Sequence, residues 1–246
     1  MDRMIFIAMS GAKEALAAQA VNSNNLANAG TTGFKADFQT SLSQQVYGPV
    51  HPSRVYATAQ ESGADLNKGS IISTGRELDM AINGEGWFAV QAKDGTEAYT
   101  RAGDLHIDTL GRLKNGAGDV ILGNKGPISI PQHAAIHFGS DGTISIQPLG
   151  DTPDTIVVLD RIKLVNPPVD QLQKGADGLM RLENGKPTKP DASVNMIAGS
   201  LEQSNVNSVA AMVEMIELAR SYEAQIKMMR TAEENDKAAA QIIQMS

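Results

Sequence analysis

Hydrophobic spacing divides the chain into three parts. Ile5, Ala8, Ala12, Ala15, Gln19, Asn22, Leu26 and Ala29 recur alternately three and four residues apart, the seam of a helix that lies against another helix. Most of these positions are small or polar, so the seam permits close approach and buries little apolar surface. Asn24, Asn25, Asn28 and Gly30 then weaken the helix, and Thr31-Thr32-Gly33 reads as a turn. Residues 1–33 are therefore expected as an N-terminal helix.

The C-terminal end repeats the pattern with larger side chains. Met212, Ile216, Ala219, Tyr222, Ile226 and Met229 form one stripe at helical spacing, with Asn205 or Asn207 as the candidate N-cap. No Gly follows Gly199 and no Pro follows Pro190, so nothing interrupts the run. Glu223 with Lys227 and Glu233 with Lys237 stand in the favourable i,i+4 order, worth a few tenths of a kcal/mol each. The C-terminal helix is assigned to 201–246, and from a cap at Asn205 or Asn207 to its end it would be roughly 55–60 Å long at the standard helical rise. That exceeds a compact domain of this chain length, so both terminal helices are expected to gain order on neighbouring molecules.

Between the helices the pattern changes to short apolar or alternating runs. These are residues 86–91, 97–101, 104–109, 119–122, 127–130, 143–147 and 156–165. Turn pairs separate several of them, among them Asp94-Gly95, Asn115-Gly116 and Asp141-Gly142. Strands at this spacing without helical periods between them predict an antiparallel sheet, barrel or sandwich over 67–200. Residues 34–66 are polar, lack a sustained period and contain Pro49 and Pro52, and are expected as an extended linker. The predicted fold class is α+β, with coiled-coil-like terminal helices flanking a central antiparallel β-rich domain.

Composition removes several functions from consideration. The net charge is −7 and no dense Lys/Arg cluster occurs, which argues against a nucleic-acid partner. Aromatic residues make up 4% of the chain, with one Trp, a poor match to a deep ligand pocket. There is no Cys, so disulfides, thiolate metal sites and Cys nucleophiles are excluded together. No run reads as approaching the ~20 apolar residues of a membrane span, and the start lacks the pattern of a cleaved Sec signal.

Candidate chemistry is sparse. His133 and His137 have metal-ligand spacing for a helix, yet they sit in predicted strand and turn without the HExxH glutamate, and read as surface histidines. Asn83-Gly84-Glu85-Gly86 has two glycines of a phosphate loop but runs into the strand-like Trp87-Phe88-Ala89-Val90, so it reads as a turn. Ser10 lies inside the first helix and not on a strand-to-helix elbow. No catalytic residue, cofactor or metal is expected. The Met-rich last helix is either flexible core filling or a face that adapts to unlike neighbours. Its length favours the second.

Several blocks resemble the flagellar axial proteins, the rod and hook subunits. Asn25, Leu26, Ala27 and Asn28, followed by Gly33, Phe34 and Lys35, are similar to that family's N-terminal signature. Leu78 to Val90, Tyr99 to Asp104 with Gly111 to Leu113, and Gly199 to Val206 resemble its further blocks, in the same order. The start, the length and the ending look most like the proximal rod class, with the distal rod class as the alternative. The resemblance implies a structural subunit whose terminal helices form an inner tube with its β domain outside. It also implies export through the flagellar type III apparatus without a cleaved signal, to a rod that crosses the periplasm and carries torque. Other rod proteins, proximal and distal, and copies of the chain itself are the implied partners. Ile5, Ala8, Ala12, Leu26, Met212, Ile216, Tyr222, Ile226 and Met229 are then the candidate assembly interface. Two other classes compete: an adaptor whose β domain recruits another basal-body component, and a cell-wall hydrolase, for which no carboxylate pair stands out.

Overall fold

A computed structural model describes residues 4–45, 55–149 and 156–244. The chain divides into two units, one formed within 1–28, 37–65 and 206–246, the other from 29–36 and 66–205.

The first unit holds two helices, α1 (Met4–Ala27) and α2 (Ser208–Gln244), and a hairpin of β1 (Asp37–Gln45) and β2 (Val55–Ala64). Asn207 caps α2 as expected, its Oδ1 accepting from the backbone N–H of Val209 and Ala210 at 3.1 Å each. α1 and α2 pack on each other, with the Asn22 side chain donating to the Ala211 carbonyl at 2.7 Å and Gly11 lying against Gln225. These two contacts make the helices antiparallel. Ala8, Ala12, Ala15 and Asn22 of the predicted seam are buried. The helices therefore pair within one chain, where they were expected to wait for neighbours; small residues and Gly11 make that close approach possible.

Two further expectations are corrected here. Residues 37–45 and 55–64 are not extended linker but antiparallel strands, paired from Asp37 with Ala64 to Gln45 with Val55. The backbone ladder holds this hairpin, and its Ser, Gln and Ala side chains leave no hydrophobic period to read in the sequence. One face is tied to α1, where Glu14 Oε1 accepts from Gln39 Nε2 at 3.0 Å and Ser41 Oγ at 2.6 Å. In addition, α1 is long and apolar enough by length and composition to cross a membrane, although Lys13, Glu14 and Gln19 interrupt its apolar runs.

The second unit begins with β3 (Ile71–Ser73), β4 (Met80–Asn83), β5 (Trp87–Gln91) and β6 (Glu97–Thr100). It continues through β7 (His106–Ile107), β8 (Leu113–Lys114), β9 (Val120–Gly123), β10 (Gly126–Pro127), β11 (His133–Phe138) and β12 (Thr143–Pro148). Then come β13 (Val157–Arg161), β14 (Leu164–Val165), β15 (Leu172–Lys174), β16 (Met180–Leu182), β17 (Asn195–Ala198) and β18 (Ser200–Glu202). All pairings are antiparallel. The main sheet runs β15-β16-β6-β5-β9-β8-β7, and β11-β12-β13 form a second sheet. Strand β17 pairs with β4 and β18 with β3, so the unit closes on its own C-terminal end. Phe88, Val90, Leu105, Leu113, Ile121, Ile128, Ile144 and Ile162 lie at the centre of its core.

The predicted run 156–165 splits into β13 and β14, and residues 201–202, assigned in the sequence to the last helix, belong to β18. Gly84 and Gly86, at φ of 100° and 123°, form the turn between β4 and β5 that the sequence indicated. Gly103 has a different reason: a Cβ there would come within 1.7 Å of the Met80 carbonyl oxygen, which accepts no displacement without moving β4. Gly103→Ala is expected to destabilise this unit by about 1–3 kcal/mol or more, as overpacking does, read as a lower urea midpoint with α1 and α2 unchanged in helicity.

Candidate assembly faces and a buried charge cluster

The family-like blocks meet inside the second unit. Glu202, at the end of β18, is 1% exposed, and its carboxylate is shared by two cations. Lys35 Nζ donates to Oε1 at 2.7 Å and Arg101 Nη1 to Oε2 at 2.8 Å, with both cationic side chains 3% exposed. Gly69 N–H adds a third bond to Oε1 at 3.1 Å. Lys35 also donates to the Asn67 carbonyl, and Arg101 to the Gly84 carbonyl. The indole of Trp87 lies against the group, 5.2 Å from Arg101 Cζ and 6.0 Å from Lys35 Nζ. Gly33, at φ 66°, passes the Arg101 backbone where a side chain would collide with it.

Two cations, Lys35 and Arg101, thus converge on one carboxylate. The field of these two cations reaches Glu85. Hydrogen bonding from Lys68, at 2.6 Å, holds the Glu85 carboxyl below its ordinary value against opposing burial, and Arg101 and Lys35 lower it further. Phe34 sits outside the cluster with the Lys174 ammonium 4.0 Å above its ring.

The remaining signature residues belong to the first unit. The Asn25 side chain brackets the backbone of Asp37, donating to its carbonyl at 2.7 Å and accepting from its N–H at 2.8 Å. The start of β1 is thereby pinned to the last turn of α1. Asn28 closes that turn through the Asn24 carbonyl, while Leu26 is half-buried and Ala27 exposed.

The candidate assembly residues separate into two sets. Ala8 and Ala12 are buried, and Tyr222, Ile226 and Met229 are half-buried. Ile5 is exposed, and Met212 and Ile216 are 53% and 55% exposed. The α2 positions that turn inward are Ala211, Met215, Leu218, Tyr222, Gln225, Met229 and Ala232, again three and four apart. At the start of α2 the predicted stripe is one residue out of step with this inner seam and leaves Met212 and Ile216 outside, joined by Val209 and Val213. On α1, Phe6, Met9 and Leu16 are exposed beside Ile5. Periodicity could not separate the two stripes, because α2 carries apolar residues on more than one face.

Trp87, Arg101 and Glu202 were not singled out in the sequence, although all three stand in the matched blocks. Nothing local marks Lys35, Arg101 or Glu202 as a buried charge; only their positions within the family-like blocks set them apart. Of the discounted chemistry, His133 and His137 both fall on β11, and the His133 ring contacts the Pro131 carbonyl oxygen. Among the described residues, no group of three His, Cys, Asp or Glu side chains is placed to hold a metal ion.

The cluster predicts an order of damage. Glu202→Gln leaves two buried cations without their carboxylate, for which about 3–5 kcal/mol of destabilisation is expected. Arg101→Met leaves the neutral Lys35–Glu202 pair and should cost less. Urea unfolding followed by Trp87 fluorescence checks the order, and equal midpoints for the two variants would contradict it.

Comparison with known proteins accounts for the blocks. A family model described as flagella basal body rod protein matches residues 5–35. One described as the flagellar hook protein FlgE/F/G D1 domain matches 81–146, and the flagellar basal body rod FlgEFG protein C-terminal model matches 197–242. The flagellar basal-body rod protein FlgF of Escherichia coli (strain K12) is 40% identical over 252 residues, with 100% of both chains covered. FlgF of Salmonella typhimurium is 39% identical over the full length of both chains. FlgG of Bacillus subtilis is 32% identical over 95% of this chain and 96% of its own. The chain belongs to the flagellar basal-body rod protein family and, within it, is most like FlgF.

Proposed function

We propose that this chain is a structural subunit of the bacterial flagellar basal-body rod, of the proximal class, joined to its neighbours through α1, α2 and their exposed apolar faces. The observation that carries this reading is how side chains are distributed in the first unit. Among its described residues, the buried hydrophobics are Ala8, Ala12, Ala15, Ala211 and Ala232, whereas Phe6, Met9, Leu16, Phe38, Leu42, Met212, Val213 and Ile216 are exposed. Each large apolar side chain left in water forgoes about 1.5–3 kcal/mol that burial would supply. Large apolar side chains exposed in this number, over a seam of alanine, mark association surfaces.

Neighbours of the same build supply the missing cover. Repetition of one non-closing contact generates a helical tube, and a hollow rod needs such a contact. The partners in this reading are other rod proteins, proximal and distal, and further copies of the chain. The location is the basal body, across the periplasm, where the rod carries torque. Delivery is by the flagellar type III apparatus without a cleaved signal. Catalysis has no part in this function; the chain acts as a load-bearing element.

Met212→Asp and Ile216→Asp test it. Both positions are exposed in the single chain, so each purified variant is expected to keep its urea midpoint, as surface substitutions usually do, within about 0.5 kcal/mol of stability. In cells lacking the parent gene the same variants should abolish swarming, and isolated basal bodies should end short of the distal rod. Normal motility in both would sink the proposal that this face assembles.

A further inference from the structure

Residues 31–36 run as turn and coil without strand pairing of their own. Much of their seat is built by a short piece of chain far along the sequence. Gly33 N–H donates to the Glu202 carbonyl at 2.8 Å, Asn205 N–H to the Phe34 carbonyl at 3.3 Å, and Ala36 N–H to Asn205 Oδ1 at 2.8 Å. With the Lys35–Glu202 ion pair, residues 202–205 grip this segment on both backbone and side chain.

The same residues hold the start of the next segment. Gly69 N–H donates to Glu202 Oε1, Gln203 N–H to the Ser70 carbonyl at 2.8 Å, and Asn205 Nδ2 to the Asn67 carbonyl at 3.2 Å. Gly69 is pressed so closely on the Gln203 carbonyl that a Cβ could not fit. Segments 33–36 and 67–70 therefore both rest on 202–205. The core strands β5, β6 and β9 pair with one another from within 87–123 and need none of these three segments for their ladder.

We propose that Glu202 is a closing latch: the sheet around β5 forms first, and segments 33–36 and 67–70 seat only when residues 202–205 dock between them. Electrostatics sets the order. Lys35 and Arg101 cannot be buried before a carboxylate reaches them, because an uncompensated buried cation is strongly unfavourable. The carboxylate that reaches Lys35 lies 167 residues away, so it arrives through one of the longest loop closures in the unit. Until then residues 33–36 remain off the β unit. A chain that emerges N-terminus first thus completes its fold only after its C-terminal strands have followed.

The single Trp of the chain, Trp87, lies 5.2 Å from the Arg101 guanidinium that Glu202 pairs with, and reports the closing of the latch. The full-length protein and Glu202→Gln are compared by amide hydrogen exchange and by refolding from urea. In Glu202→Gln, exchange of the 33–36 and 67–70 amides should rise at least roughly tenfold more than that of the β5 and β9 amides, the pattern of local opening. On refolding, the parent should show a Trp87 fluorescence phase slower than sheet formation by circular dichroism, and Glu202→Gln should lack it. Unchanged exchange at 33–36 and 67–70 overturns the proposal. If Glu202→Gln loses protection throughout, Lys35→Met decides, since it keeps the Arg101–Glu202 pair. Selective loosening of 33–36 supports the latch, and parent-like protection there overturns it.

Discussion

One carboxylate organises the second unit. Glu202 accepts from Lys35, Arg101 and the Gly69 amide at once, and it does so with 1% exposure. These partners come from the N-terminal signature, from the end of β6 and from the approach to β3. Pairing in a dry site fixes geometry more than it adds stability, because the charges must first be stripped of water. What it imposes is dependence: each cation needs the carboxylate, so the stretches around Lys35 and Gly69 are tied to the strand that carries Glu202. Trp87 and the glycines at 33 and 69 give the cluster its space, one by lying against the cations and the others by having no side chain.

The first unit is built on the opposite principle. Its inner seam is mostly alanine, which lets α1 and α2 approach closely and gives little for the burial. Asn22 and Asn25 add polar ties, to the Ala211 carbonyl and to the backbone of Asp37, that fix the helices and hairpin in register without requiring a large core. Large apolar side chains stand outside. A subunit arranged in this way is specific in its internal register and incomplete in its burial, a combination suited to a part that is finished by its neighbours. The hairpin β1–β2 follows the same logic, with Glu14 holding one face while Phe38 and Leu42 remain exposed.

Both ends of the chain are thus joined to each other in both units: Asn22 to Ala211 in one, Lys35 to Glu202 in the other. The same pair of sequence ends carries the family-model matches at 5–35 and 197–242. These two matched segments, at opposite ends of the sequence, are therefore in contact in the fold.

The helical ends, the β-rich middle, the cap at Asn207, the turn at Gly84 and Gly86, and the family are all legible along the chain. Each is a local property of spacing, turn chemistry or motif. The hairpin was missed because its ladder is made of backbone bonds between polar residues, which leave no hydrophobic period. The face of α2 that turns inward was also beyond reach, since Met212 and Met215 differ by less than one turn and only packing against Gly11 and Asn22 selects between the stripes. The Lys35–Glu202–Arg101 cluster joins residues up to 167 positions apart. Each charge is unremarkable in its own segment, and only the tertiary fold, by closing β18 onto β3, decides that they meet and are buried.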